Sequence, residues 1–369
     1  MNQQKYDIGA IVREFSFEGT YIEGQPYGFG HINDTYAVYF NKADGGSHRY
    51  ILQRINHNVF KKPEELMMNI EGITRYLKKA IIEAGGDPSR ETLNLILAKN
   101  GKSFYKDSEG NYWRAYIFIE GAQTYQVVEK PEHFYKAGKA FGRFQKLLSS
   151  YPASTLSETI PNFHNTKKRF EAFVDAVEKD IKGRAKDVKT EIEFALKRGK
   201  EMGILVDLQE KGELPLRVTH NDTKFNNVMI DDITGDGICV IDLDTVMPGL
   251  SLYDFGDSIR FGTNPAAEDE KDLEKVWMDL NLFEEFTRGF LEAAGGSLTE
   301  AEIDYLPLSA RIMTYECGIR FLTDHLNGDT YFKIHREGHN LDRTRTQFKL
   351  VAEMEQKHDL MLQVVQKYR

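Results

Sequence analysis

Apolar residues recur with two different periods along this chain, and the change of period divides it. Ile8, Ile11, Val12 and Phe15 stand at helical spacing and predict an amphipathic helix over residues 7–17. Alternating or β-branched runs over 36–40, 50–54, 94–98 and 112–120 predict strands, interrupted by one helix opened by Pro63 with Leu66, Met67, Ile70, Ile73 and Leu77 as its buried stripe. From Pro131 onward the helical period takes over, in segments 133–148, 167–180, 187–208, 268–294, 300–328 and 341–368. The pattern is that of an α+β protein in two lobes, a small antiparallel-sheet lobe over 1–120 and a larger, mostly helical lobe over 121–369. One feature breaks the helical lobe: two short apolar runs, 228–230 and 238–241, flank a Gly/Asp-rich turn at 233–237 and predict a β-hairpin.

The residues at the mouth of that hairpin carry the chemistry. With its centre between Thr234 and Gly235, the ladder sets Ile230 against Cys239, Val228 against Ile241 and Asn227 against Asp242. A carboxamide and a carboxylate then face each other, both oxygen donors of the kind Mg2+ prefers. Asp244 points to the same side if the strand continues, and Asp222 precedes the first strand and hangs over the same mouth. A lone His-x-Asp is most often a polar loop closing a hairpin. With Asn227 and Asp242 at matching positions, the arrangement is that of phosphoryl transfer: Asp222 takes the proton of an attacking hydroxyl, while Asn227, Asp242 and Asp244 are candidates to hold the metal on nucleotide phosphates.

The string H-x-D-x-x-x-x-N at 220–227, a hairpin and then Ile241-Asp242 resembles the active site of the aminoglycoside phosphotransferase and choline kinase superfamily, a small-molecule branch of the protein-kinase-like fold. That resemblance implies roles for the first lobe. Gly28 and Gly30 lie in a glycine-rich loop, 27–36, that can lay backbone N–H groups over phosphates; Asn33 takes the place of its third glycine and tolerates positive φ. The third strand has no lysine where kinases carry one, so Gln53 or Arg54 stands in, or neither does. Glu71 is a candidate partner for that side chain, against the plainer reading of a solvated glutamate. The passage between lobes at 118–121, Glu120 included, is the candidate for adenine contacts. The literal Asp254-Phe255-Gly256 lies beyond the hairpin, so Asp254 and Asp257 are expected to fix the following loop or cap the next helix, and Asp242 is the better metal ligand.

Composition narrows the setting. At 369 residues, 41% apolar and 28% charged, the chain can bury a large core. A net charge of −9 argues against a nucleic-acid partner. Two cysteines, Cys239 and Cys317, imply no disulfide framework. The first residues lack the apolar core of a signal peptide, and no run reaches the ~20 apolar residues that span a bilayer. A cytoplasmic enzyme without a membrane partner is expected, with a monomer plausible.

Longer strings sharpen the resemblance. Tyr27-Gly28-Phe29-Gly30-His31-Ile32-Asn33, His220-Asn221-Asp222-Thr223-Lys224, Ile241-Asp242-Leu243-Asp244-Thr245, and the segment from Arg320 to Phe332 are similar to those of the N-acetylhexosamine 1-kinase family. What this implies is ATP- and Mg2+-dependent phosphorylation of the anomeric hydroxyl of an N-acetylhexosamine, with Asp222 as base, Asn227 and Asp242 on the metal, and His31, Thr223, Arg320 and Tyr331 against the sugar. Read without the resemblance, Arg320 and Asp324 are an intrahelical ion pair. Two other functions stay open: a kinase for an amino alcohol or aminoglycoside, and a catalytically dead nucleotide-binding module. A protein kinase is disfavoured, because no A-P-E-like anchor follows Asp242.

Overall fold

The computed structural model describes residues 6–28, 32–43, 45–128 and 130–369. The N-terminal lobe is an antiparallel sheet in the order β1 (Thr20–Pro26), β2 (Asp34–Asn41), β3 (Ser47–Ile55), β6 (Tyr112–Ile117) and β4 (Leu95–Ile96), with the short β5 (Tyr105–Lys106) also on β6. The N-terminal helix is shorter than its apolar spacing suggests. Asp7 caps it, it spans Ile8–Val12, and the chain then extends so that Phe15 bridges Ala98. Its side chains cover the outer face of the sheet, packing with Tyr36, Leu52, Trp113 and Ala115.

Strand alternation sends the neighbours of those residues to the inner face. Register places Thr35 beside Gln53 and Gln53 beside Arg114, so a row of three polar side chains crosses the sheet on the side facing the second lobe. The helix Pro63–Glu83 packs below with the expected stripe buried. Its Asn69 donates to the Ser157 and Val246 carbonyls at 2.8 and 3.1 Å, tying it to the second lobe. Glu71 lies on the exposed face of that helix, 3.5 Å from Arg75, and takes the plain solvated reading.

In the C-terminal lobe the helices Pro131–Leu147 and Leu280–Ala294 cross at Gly138 and Gly142, where a Cβ would stand 2.4 Å from the Phe286 and Phe290 carbonyl oxygens. The helix predicted over 268–294 begins only at Leu280, where Asp279 accepts from the Asn281 and Leu282 N–H groups and caps it. The helix predicted over 187–208 is interrupted at Gly199, whose Cβ would meet the Phe170 ring at 2.2 Å.

The hairpin is present but its register differs from the expected one. β9 (Val228–Asp231) and β10 (Gly237–Val240) pair Val228 with Val240, Met229 with Cys239 and Ile230 with Gly237, with an irregularity between Gly237 and Cys239. Asp231 explains the shift: its Oδ1 accepts from the Ile233 and Thr234 N–H groups and closes the turn early, and the extra residue is absorbed as a bulge at Ile238. Asn227 therefore faces Ile241, whose N–H donates to its carbonyl at 2.9 Å, and Asp242 falls one residue beyond the mouth. The other edge of β9 pairs with β7 (Ala122–Gln123), the first strand after β6.

Candidate active site

The candidate catalytic loop runs from β8 (Arg217–Thr219), which pairs with β11 (Met247–Gly249), to β9. A short buried helix, Ser251–Gly262, holds its backbone. Asp254, 1% exposed, accepts from the N–H groups of His220 and Asn221 at 2.9 and 2.7 Å, and from the Gln145 amide at 2.5 Å. Burial raises its carboxyl above the ordinary aspartate value despite these donors. Asp257 accepts from the Thr223 N–H at 3.1 Å, and Ser258 donates to the Thr223 carbonyl at 2.8 Å. The string Asp254-Phe255-Gly256 is thus structural: the carboxylate anchors the loop, the ring fills the core against Phe283, Phe286 and Phe290, and Gly256 lets the helix Leu306–Asn327 approach, since a Cβ would lie 2.6 Å from the Ser309 carbonyl. The expectation that Asp254 and Asp257 fix the loop after them or cap the next helix is corrected: both lie inside the helix Ser251–Gly262 and hold the loop at 220–223, 33 and 34 residues earlier in the chain.

Within the loop, Asn221 takes φ 64°, a left-handed conformation that Asn tolerates, and its side chain reaches the Thr245 carbonyl at 2.9 Å. His220 accepts the Asp222 N–H on Nδ1 at 3.3 Å, so Nε2 carries the proton it donates to the Ile241 carbonyl at 2.8 Å. These bonds join the loop to the segment beyond the hairpin and present Asp222 to the cleft.

Asp222 is 28% exposed at its side chain, with the Lys224 ammonium 2.9 Å away. Desolvation in the cleft opposes its ionisation, but Lys224 outweighs it and the carboxyl sits below its ordinary value. Asn227 donates from Nδ2 to the Asp222 carbonyl at 2.8 Å, which leaves its amide oxygen as the available donor atom for a cation. Solvent reaches Asp242, which stands at φ 59°; its recessed surroundings and the like charges of Asp244 and Asp222 push its carboxyl up to about 6. Asp222, Asn227 and Asp242 are brought together as expected.

Asp244 is placed differently. The strand does not continue past Val240, and a short 3-10 turn at Leu243–Thr245 turns Asp244 toward the first lobe. There it is buried, ion-paired with Arg114 and accepting from Asn33 Nδ2 at 2.6 Å. Asn33 does its work through this side chain and not through positive φ, which among the described residues it does not adopt. On the inner face of β3 stands Gln53, which accepts from Arg114 Nε at 3.0 Å and donates to Thr35. Arg54 points the other way, pairing with Asp34 at 2.6 Å.

Gly28 has φ 79° with open space about it; Gly30 and His31 lie outside the described residues. Tyr27, beside Gly28, sets its ring 5.5 Å from that of Phe118, so the glycine loop and the interlobe passage meet. The expected adenine contact at Glu120 is already engaged: its carbonyl accepts from Arg90 at 2.9 Å and its exposed carboxylate binds Arg49. Phe118 and Ile119 are the backbone positions left beside it.

Arg320 does not pair with Asp324. Asp324 accepts from the N–H groups of Thr330, Tyr331 and Phe332 at 2.8, 2.8 and 2.9 Å and folds that loop, whose Tyr331 is 65% exposed. Arg320 instead lies 3.8 Å from Glu316, with its guanidinium facing the Phe163 and Phe332 rings. Glu316 binds His164 at 2.8 Å, and the other ring nitrogen of His164 lies 3.0 Å from the Asn221 carbonyl, so Arg320 is two residues removed from the catalytic loop. Thr223 is fully buried with its hydroxyl donating to the Asp254 carbonyl, which places it in the loop's support and not on an open face.

Sequence reasoning missed Arg114 and the pairing of Lys224. The signal for Arg114 was a cation inside a strand otherwise made of aromatic and apolar residues. That for Lys224 was a lysine two residues past the candidate base.

An antiparallel sheet above a helical lobe, with a polar hairpin and an anchored Asp loop at the cleft, defines a kinase-like phosphotransferase. Residues 23–279 match the model of the phosphotransferase enzyme family, and the chain belongs to that family, as a small-molecule kinase with a hydroxyl-group acceptor. Solved structures of the same fold include an aminoglycoside phosphotransferase from Alicyclobacillus acidocaldarius (TM-score 0.64, 11% identity, 99% of this chain and 97% of that one). An amicoumacin kinase in complex with AMP-PNP, Ca2+ and Ami aligns at TM-score 0.58 and 13% identity over 95% of this chain and 94% of that one. A spectinomycin phosphotransferase bound to ADP and spectinomycin aligns at 0.56 and 15% over 90% and 93%. At these identities the likeness shows the fold. No helix among the described residues is long and apolar enough to cross a membrane.

Proposed function

We propose that the protein transfers the γ-phosphoryl group of ATP to the anomeric hydroxyl of an N-acetylhexosamine, giving the sugar 1-phosphate. The observation that carries the reading is the meeting of Asp222, Lys224, Asn227 and Asp242 in one place. Asp222 accepts the hydroxyl hydrogen bond and then its proton as the oxygen attacks phosphorus. Lys224 keeps that carboxylate ionised.

The donor set suits Mg2+. Asn227 and Asp242 offer hard oxygens, and phosphate oxygens and water would complete the shell of an ion held there. Bound there, the ion would neutralise charge on the transferring phosphates. Asp242→Ala is accordingly expected to weaken Mg·ATP binding by on the order of tenfold or more while sugar binding persists; calorimetric titration of each ligand checks it, and the reverse pattern would mean that Asp242 serves the acceptor.

For the acceptor, support comes from the strings shared with N-acetylhexosamine 1-kinases and from charge. Arg320 sets its guanidinium toward the Phe163 ring and Arg169 donates to the Phe163 carbonyl at 2.9 Å; Arg169 is pushed below its usual range by burial and by Arg320. Two arginines against the one Glu316 carboxylate oppose an ammonium-bearing acceptor there and suit a neutral sugar rich in hydroxyl groups. Arg320→Ala is expected to lower kcat/KM for the sugar by about 1.5–3 kcal/mol, on the order of ten- to a hundredfold, with KM for ATP little changed. Unaltered sugar kinetics in a stable variant would return Arg320 to a packing role. The test of the whole reading is ATP consumption against a panel of free sugars, amino alcohols and aminoglycosides, with the phosphorylated position assigned by NMR. Turnover confined to amino alcohols or aminoglycosides would replace the sugar while keeping the chemistry.

A further inference from the structure

We propose that Arg114, on the strand next to the one that lacks a lysine, is the cation that binds the nucleotide phosphates, and that Asp244 positions it and is not a metal ligand. The inference rests on the phosphotransfer reading above and concerns how that site holds its donor.

The sheet register carries the argument. On the inner face of β3 the side chain at the cleft is Gln53, a neutral amide; its cross-strand partner on β6 is Arg114. Gln53 accepts from Arg114 Nε at 3.0 Å and is itself steadied by Thr35, so the guanidinium plane is fixed at its root. Nη1 donates to Asp244, two residues beyond the proposed metal ligand Asp242. Among the described residues Nη2 has no protein acceptor, so the fork retains a donor directed from a fixed plane. A planar guanidinium with donors to spare is suited to phosphate oxygens.

Each oxygen of Asp244 already faces a protein donor. One oxygen binds Arg114 and the other accepts Asn33 Nδ2 at 2.6 Å. Asn33 also accepts the Asn56 N–H at 3.0 Å, so Asp244 joins the end of the glycine loop to the guanidinium. Burial disfavours the charge on Arg114, but Asp244 outweighs it and keeps the group protonated. A buried arginine held at the junction of the glycine loop, β3 and the proposed metal loop occupies the place where triphosphate charge must be neutralised.

The plain alternative is an interlobe strut, and nucleotide titrations separate the two. Calorimetry is run on wild type, Arg114→Gln, Arg114→Lys and Arg114→Gln/Asp244→Asn, with adenosine, ADP and Mg·ATP as ligands and with thermal melting as the measure of folding. Arg114→Gln is expected to weaken ADP and Mg·ATP by on the order of ten- to a hundredfold with adenosine unchanged, and Arg114→Lys to recover part of the loss. The double variant leaves no unpaired buried carboxylate, and should melt close to wild type yet bind ADP as weakly as Arg114→Gln. A double variant that binds ADP as tightly as wild type overturns the assignment, as does equal loss of adenosine and ADP in Arg114→Gln. Wild type that binds adenosine but gains nothing from phosphates also overturns it. Wild type that binds none of the three overturns the phosphotransfer reading itself, and the assignment falls with it.

Discussion

Asp222→Asn is expected to lower kcat by roughly 10²–10⁴-fold, the usual scale for removing a positioned general base, while nucleotide affinity stays near that of the parent. The substitution keeps the size and shape of the side chain, so the loop held by Asp254 and Asp257 has no reason to move. It removes the ability to take a proton and the charge that Lys224 faces at 2.9 Å. The Asn227 amide bonds mainly to the Asp222 backbone carbonyl, at 2.8 Å against 3.4 Å to the carboxylate, so the proposed metal side is largely spared. Single-turnover phosphoryl transfer, set beside equilibrium Mg·ATP binding, separates the two effects. Turnover within a few-fold of the parent would take Asp222 out of the mechanism.

The second large effect belongs to a residue that touches no substrate. Asp254→Ala is expected to destabilise the protein by roughly 3–5 kcal/mol, at the upper end of single substitutions. It strands the backbone N–H groups of His220 and Asn221 and the Gln145 amide in a place closed to water. Urea denaturation at a fixed temperature reads the loss. Asp254→Asn keeps one acceptor and should destabilise less, while leaving the Mg2+ dependence of nucleotide binding as it was. A changed Mg2+ dependence in that variant would restore Asp254 as a metal ligand and overturn its role as the anchor of the loop.

Part of this site was legible as pattern because part of it is local. Asp222 and Asn227 lie five residues apart on one loop, and Asp242 is returned to them by a hairpin whose strands and turn residues announce themselves. Even there the register slipped by one, since the side chain of Asp231 closes the turn and its preference cannot be separated from the apolar alternation on either side. The pair Arg320 and Asp324 misled for a related reason. Spacing by four residues makes an ion pair available, but Asp324 gains three backbone donors from the loop that follows the helix, and a buried carboxylate takes the partners that best offset its desolvation.

What the sequence by itself determined was the α+β class, most of the long helices and the polar strings around the hairpin, because these follow from periodicity and short-range spacing; it left the first strand, Thr20–Pro26, unmarked. Tertiary structure alone decided which cation stands beside Gln53. Arg114 meets Gln53 across 61 residues and Asp244 across 130, and it does so only because β6 pairs with β3 in one register and Asp242 turns left-handed after the hairpin. Tertiary structure likewise made Asp254-Phe255-Gly256 a buried support, since the nearness of its helix to the catalytic loop arises from packing between segments whose sequences carry no mark of each other.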